Sequence, residues 1–189
     1  MEQKNIENIL NSVKDGKMSV SDAMLKLKEA PFEDLGFAKL DLHRGLRQGA
    51  AEVIYGVSKT PEQIVKISKT FWEHGQKTIL ITRMSKEAAD YAKISLDCFK
   101  YDELSKIGIV GELPPKNTNG KIIVATGGTS DMPVAEEAAL TAEVYGNKVV
   151  RLYDVGVAGL HRLLSHLDDI MSAKVIIATS SPDLGSASE

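Results

Sequence analysis

Apolar positions recur at helical spacing at the start of the chain. Ile6, Ile9, Leu10 and Val13 lead up to Gly16, and a second helical period, Ala23, Leu27 and Ala30, starts after Ser21 and stops at Pro31. Together they predict a helical hairpin over 1–32. The pattern then shortens: between Phe37 and Tyr55 apolar pieces alternate with His43-Arg44-Gly45 and Arg47-Gln48-Gly49, and Glu52-Val53-Ile54-Tyr55-Gly56 reads as a strand stopped by glycine. Thr60-Pro61-Glu62-Gln63 supplies a cap, a first-turn proline and acidic and amide side chains ahead of Ile64, Ile67 and Phe71, so a helix to about His74 follows. Lys77–Arg83 reads as a buried strand, Ser85–Lys93 as a helix capped by Ser85, and Lys106–Val110 as the short strand that closes an α/β unit over 33–111.

Residues 112–120 concentrate proline, asparagine and glycine, which favour turns, and the domain boundary is placed there. From Lys121 strands and helices alternate regularly: strand 121–125, helix 131–145, strand 148–153, helix 159–170, strand 174–178. Such alternation predicts a parallel sheet over 121–178, with its ligand at the carboxyl ends of the strands. The final stretch, 179–189, is polar apart from Leu184 and reads as a disordered tail.

Composition narrows the function classes. The 189 residues are 43% hydrophobic and 26% charged, enough for one substantial core or two small ones. A net charge of −3, with both signs interspersed and no basic stripe among aromatics, argues against nucleic acid as a partner. The longest apolar runs are strand-sized and the N-terminus lacks a signal pattern, so neither a membrane partner nor secretion is expected. A lone cysteine, Cys98, excludes an internal disulfide and points to the reducing cytoplasm. Four scattered histidines without an i,i+4 pair give no metal constellation.

The candidate chemistry gathers at two loops. Ala125-Thr126-Gly127-Gly128-Thr129-Ser130-Asp131 follows an apolar strand and precedes a helix. Its glycines let backbone approach a phosphate, Thr129 and Ser130 add hydroxyl donors, and the helix terminus adds N–H groups; the plainer reading is that Ser130 or Asp131 caps the helix. The second strand ends in Tyr153-Asp154-Val155-Gly156-Val157-Ala158-Gly159, one strand over, so both loops should converge on one crevice. Asp154 is its best catalytic or ligand-orienting carboxylate. His161 and Arg162 follow in the next helical turn, near enough to face the crevice, whereas His166 is placed on a solvated helix face. In the N-terminal unit Asp41, His43, Arg44 and Arg47 could clamp an anion, or form a surface ion-pair network. Cys98, between Asp97 and Phe99 and close to Leu96, reads as a buried, unreactive thiol.

These residues also carry a resemblance. Gly36-Phe37-Ala38-Lys39, His43-Arg44, Arg47-Gln48-Gly49, Glu52–Gly56 and Lys59–Gln63 form one block. Gly128-Thr129-Ser130-Asp131, Pro133–Ala138 and Arg151–Arg162 form a second. From about residue 35 to 178 the chain resembles the pyridinium-3,5-biscarboxylic acid mononucleotide synthase family (LarB), the carboxylase/hydrolase of nickel-pincer nucleotide biosynthesis. Its C-terminal part also resembles 5-aminoimidazole ribonucleotide carboxylase (PurE). The resemblance implies an α/β fold: a hairpin and small α/β domain, then the first βαβαβ part of a PurE-like, flavodoxin-like parallel sheet. It implies carboxylation of the pyridinium ring of nicotinic acid adenine dinucleotide and hydrolysis that releases AMP. CO2 or bicarbonate is the implied co-substrate, no tightly bound cofactor is expected, and Mg2+ is left open. Thr129, Ser130 and Asp131, with Gly127, Gly128, Gly156, Val157, Ala158, Gly159, His161, Arg162, His43, Arg44 and Arg47, would bind substrate, and Asp154 would assist at the ring.

Family members also use a cysteine nucleophile and a glutamate beyond the third strand; neither is present here, so a truncated and inactive chain is expected, from a family whose full-length members are expected to be homo-oligomers. A purine carboxylase and a non-catalytic nucleotide-binding fragment are the alternative readings.

Overall fold

The computed structural model describes residues 3–29, 32–41 and 52–180. Helices α1 (Gln3–Lys14) and α2 (Val20–Glu29) form the expected hairpin. Helix α2 begins earlier than the apolar period indicates, because the Ser19 hydroxyl accepts the Asp22 N–H at 3.0 Å and donates to its carboxylate at 2.7 Å. This reciprocal cap fixes the start at Val20 rather than after Ser21.

A two-stranded antiparallel hairpin, β1 (Phe32–Asp34) and β2 (Lys39–Asp41), comes next. Leu40 joins the main core, and His74 Nε2 lies 3.3 Å from the Glu33 carboxylate. The principal N-terminal sheet contains β3 (Val53–Tyr55), β4 (Thr78–Thr82), β5 (Phe99–Asp102) and β6 (Ile107–Gly111), in the order β3-β4-β6-β5. Strands β3 and β4 are parallel, joined by α3 (Pro61–Glu73); β4–β6 and β6–β5 are antiparallel. Thr60 caps α3 as the sequence indicates, and the Gln63 side chain accepts the Thr60 N–H in return. Ser85 likewise caps α4 (Lys86–Ser95), accepting the Ala88 N–H at 3.1 Å.

Strand β5 is absent from the periodicity reading. The chain reverses through Cys98, a non-glycine residue held at φ +54, so no glycine or asparagine marks the turn. Cys98 is exposed there, which corrects the expected buried thiol: its neighbours Leu96 and Phe99 turn inward while the turn residue faces out.

Alternation along β4 divides the core. Ile79 and Ile81 face α3 and α4, packing with Ile64, Ile67, Phe71 and Ala89, whereas Leu80 faces the other side with Ile107 and Ile109. That second side is covered by α5 (Met132–Val144) through Leu140 and Val144. The same helix turns Ala135 and Ala139 onto Val124 of β7 (Ile122–Thr126), so α5 lies between the two sheets, small residues on one flank and large on the other. The segment between β6 and β7 runs along the C-terminal end of α5, with Lys116 3.6 Å from Glu143 and the Pro115 carbonyl beside Gly146.

The second sheet has β7 at its centre, flanked by β8 (Val149–Leu152) and β9 (Val175–Thr179), all parallel, with Ile122 opposite both Val149 and Val175. The chain therefore moves to one side of β7 and then to the other. Such a reversal of strand order opens a crevice at the carboxyl ends. The single helix expected over 159–170 is two short ones, α6 (Leu160–Leu164) and α7 (Leu167–Met171), broken at Ser165-His166. His166 is thus half-buried at a helix junction, not on a continuous solvated face. Thr179, read as the first residue of a tail, pairs with Thr126 in β9; residues 181–189 lie outside the described residues.

Candidate functional site

Thr126, the last residue of β7, ties three strand ends together. Its buried hydroxyl accepts the Asp154 N–H at 2.9 Å, its carbonyl accepts the Val155 N–H at 2.9 Å, and the next N–H, of Gly127, donates to the Thr179 carbonyl at 3.2 Å. The loops after β7 and β8 meet as closely as backbone allows. A Cβ at Gly156 would lie 2.3 Å from the Gly127 carbonyl oxygen and 3.3 Å from its Cα, so no other residue fits without moving one loop.

The Gly127-Gly128 loop leads into one 3-10 turn, Thr129–Asp131, and then into α5. Asp131 is 5% exposed; its carboxylate accepts the Gly128 N–H at 3.2 Å and so closes the loop from inside. This corrects a simple picture in which Asp131 caps α5, since it makes no side-chain cap to that helix. Thr129 and Ser130 are exposed at the turn. They stand where the helix terminus offers N–H groups that have no partner within the helix.

On the other side Asp154 is held at φ +57, a conformation rare for a non-glycine residue, and its carboxylate accepts from the Arg162 guanidinium. Both side chains are well exposed, so the pair contributes only about 0–1 kcal/mol to stability. Gly156 opens a second 3-10 turn, Val157–Gly159, in which Val157 and Ala158 are exposed and Gly159 is buried against Arg162. His161 is exposed on α6. The exposed hydroxyls of Thr129 and Ser130 and the ion-paired Asp154 carboxylate therefore lie on two adjoining loops. His43, Arg44 and Arg47 lie outside the described residues.

One cluster beside the site has no counterpart in the sequence reading. Arg151 of β8 donates to both carboxylate oxygens of Glu136 and to Glu143, each contact at 2.8–3.0 Å, and the Tyr153 hydroxyl donates to Glu136. The Arg151 hydrogen bonds hold the Glu143 carboxyl below the ordinary glutamate range. Burial, then Glu136, pushes the Tyr153 phenol up. The network fixes α5 against β8 and with it the position of the Gly127-Gly128 loop that leads into α5. A hint was available: Arg151 and Tyr153, two apart at the end of a strand, share a face, as do Glu136 and Glu143, seven apart on a helix.

Among the described residues no group of three or more His, Cys, Asp or Glu could hold a metal ion, and no helix is long and apolar enough to cross a membrane.

A parallel sheet that reverses at β7, with a glycine loop opening a helix at that point, is the arrangement of a flavodoxin-like α/β protein. Residues 32–112 match the model of the LarB/PurE-like N-terminal domain. An uncharacterized protein of Methanocaldococcus jannaschii, MJ0165, is 32% identical over 184 residues, covering 91% of this chain and 70% of the relative. The chain belongs to the LarB/PurE-like family, which suggests a carboxylase type of enzyme.

Proposed function

We propose that this chain binds the nicotinic acid nucleotide substrate of a LarB-type carboxylase, the enzyme that carboxylates the pyridinium ring of nicotinic acid adenine dinucleotide and cleaves its phosphoanhydride. The observation that carries this reading is the contact between Gly156 and Gly127, which joins the phosphate-type loop and the Asp154 turn into one crevice. Thr129 and Ser130 take the ribose phosphate through their hydroxyls and the N–H groups of the helix terminus, while Gly127 and Gly128, whose own N–H groups bond to Thr179 and Asp131, let it approach the backbone closely. Asp154, oriented by Arg162, sets negative charge beside the cationic ring, where a carboxylate lowers the energy of a pyridinium and can take up a ring proton.

Carboxylation at a pyridinium carbon needs electron density that the cationic ring lacks. Addition of a thiolate supplies it by turning the ring into a neutral dienamine that attacks CO2; loss of the ring proton and of the thiolate then restores aromaticity. The sequence has a single cysteine, Cys98, at the turn before β5 on the N-terminal sheet. The 189 residues are thus read as binding and positioning substrate. Incubation with nicotinic acid adenine dinucleotide and bicarbonate, followed by mass spectrometry, should detect bound dinucleotide without AMP or a dicarboxylated mononucleotide. Preferential binding of 5-aminoimidazole ribonucleotide over nicotinic acid mononucleotide would move the chain to the purine branch.

A further inference from the structure

We propose that the cleft between the ends of α3 and α4, at the edge of the N-terminal sheet where β4 and β5 begin, binds a linear aliphatic diammonium ion, the chemistry of a polyamine. The cleft has a volume of about 300 Å³. Its floor is Leu96 and Val110, both buried, and Val110 pairs with Ile79 of β4 and Phe99 of β5. Lys69, Trp72 and Glu73 of α3 form one wall, and Asp97, just after the end of α4, stands on the other. Nothing in this site depends on the Gly127–Asp131 crevice, which belongs to the other sheet.

Each wall carries an exposed carboxylate, Glu73 on one and Asp97 on the other, with the apolar floor between them. A methylene chain with an ammonium at each end satisfies both carboxylates while its stem lies on Leu96 and Val110. Among the described residues no ion pair or side-chain hydrogen bond engages Glu73, Asp97 or Lys69, so both carboxylates are available. Helix α4 adds negative potential. Its C-cap, Leu96, is extended at φ −126 and ψ 129, so no turn closes over the last carbonyls. Trp72 is 45% exposed, and its ring is held from behind: a Cβ on Gly111 would lie 3.0 Å from its Cζ3 atom. An indole fixed in this way beside two carboxylates attracts an ammonium to its face. Lys69, one turn before Glu73, opposes this, but two carboxylates and a helix terminus outweigh a single ammonium.

The competing explanation is that these charges are solvated surface around an empty groove. Trp72 is the single tryptophan of the chain, so its fluorescence reads the cleft directly. Titration of the whole chain with 1,4-diaminobutane at constant ionic strength should give a saturable change that ammonium chloride does not reproduce. Glu73→Gln and Asp97→Asn, isosteric changes at exposed positions, should each raise the dissociation constant about threefold or more, and Lys69→Gln should lower it. Trp72→Leu, followed by titration calorimetry, should weaken binding about two- to fivefold. Trp72→Phe, which keeps an aromatic face, should lose less and guards against a loss of packing in the leucine variant. n-Butylammonium, with the same chain and one charge, should bind more weakly than the diamine. Absence of a saturable change at millimolar diamine overturns the proposal, as does equal affinity in the wild type and both carboxylate variants, or an equal response to ammonium chloride. Binding of inorganic phosphate that is lost in Lys69→Gln would make the cleft an anion site and overturn it as well.

Discussion

The two sheets of this chain are covered to very different degrees. In the N-terminal sheet every residue of β6 is buried, with α3 and α4 against one face and α5 against the other. In the C-terminal sheet β7 is buried at the centre, but β9 leaves Val175 and Ile176 about half exposed, and α6 and α7 show Leu160, Leu164, Leu167 and Met171 to solvent. The positions of the proposed ligand site, namely the Gly127–Gly156 contact and the left-handed Asp154, lie in the less covered sheet. Burial is thus concentrated in one region and the proposed binding geometry in the other. Helix α5 connects them, since its large residues serve the first core and its N-terminus continues the Gly127-Gly128 loop of the second.

The sharpest way to break this contrast is to remove one apolar side chain from each region. Phe71→Ala, from a residue 2% exposed, should cost about 3–5 kcal/mol. Ile176→Ala, from a residue 52% exposed, should cost roughly 1 kcal/mol or less. Urea unfolding followed by circular dichroism compares them; equal losses would mean that the two sheets share one uniform core.

Next in size is the clamp that holds α5 on β8. Arg151→Leu leaves Glu136 and Glu143 facing each other, both largely buried, and should cost about 2 kcal/mol. The Arg151–Glu143 pair makes stability depend on acid. The Glu143 carboxyl lies below its usual 4.5 in the folded protein, so the pair's contribution is complete above that value and is lost as pH falls through the lowered one. Glu143→Gln should therefore flatten the acid limb of the melting temperature below about pH 4.5. An unchanged limb would show that the acid dependence arises elsewhere.

A smaller effect is expected at the cap of α3. Thr60→Ala removes the acceptor of the Gln63 N–H and should cost about 1 kcal/mol, read as a fall in urea midpoint at constant slope.

These positions also show how far local sequence reaches. Thr60 and Ser85 were legible because a cap is decided by residues within one turn, and the meeting of the two glycine loops was legible because they follow neighbouring strands of a βαβ unit. Strand β5 and the exposure of Cys98 were not, because the reversal rests on a cysteine in a left-handed conformation that only tertiary packing imposes. The break at His166 interrupts an apolar period that continues through it. The Arg151 clamp joins residues eight and fifteen positions apart, and Tyr55 meets Arg83 only because β3 and β4 are paired. Asp131 illustrates the remaining gap: its place in the loop was clear, but the direction of its carboxylate depended on the hydrogen bond to Gly128.

The most direct test of the central claim is calorimetric titration of nicotinic acid mononucleotide into the wild type and into the double variant Thr129→Val, Ser130→Ala. Both residues are exposed, so the melting temperature should change little. Loss of two hydroxyl donors to a phosphate should weaken binding roughly 10- to 100-fold. Equal affinity in the two proteins, or no binding by the wild type at millimolar concentration, would contradict the assignment of the Gly127–Asp131 crevice as the nucleotide site.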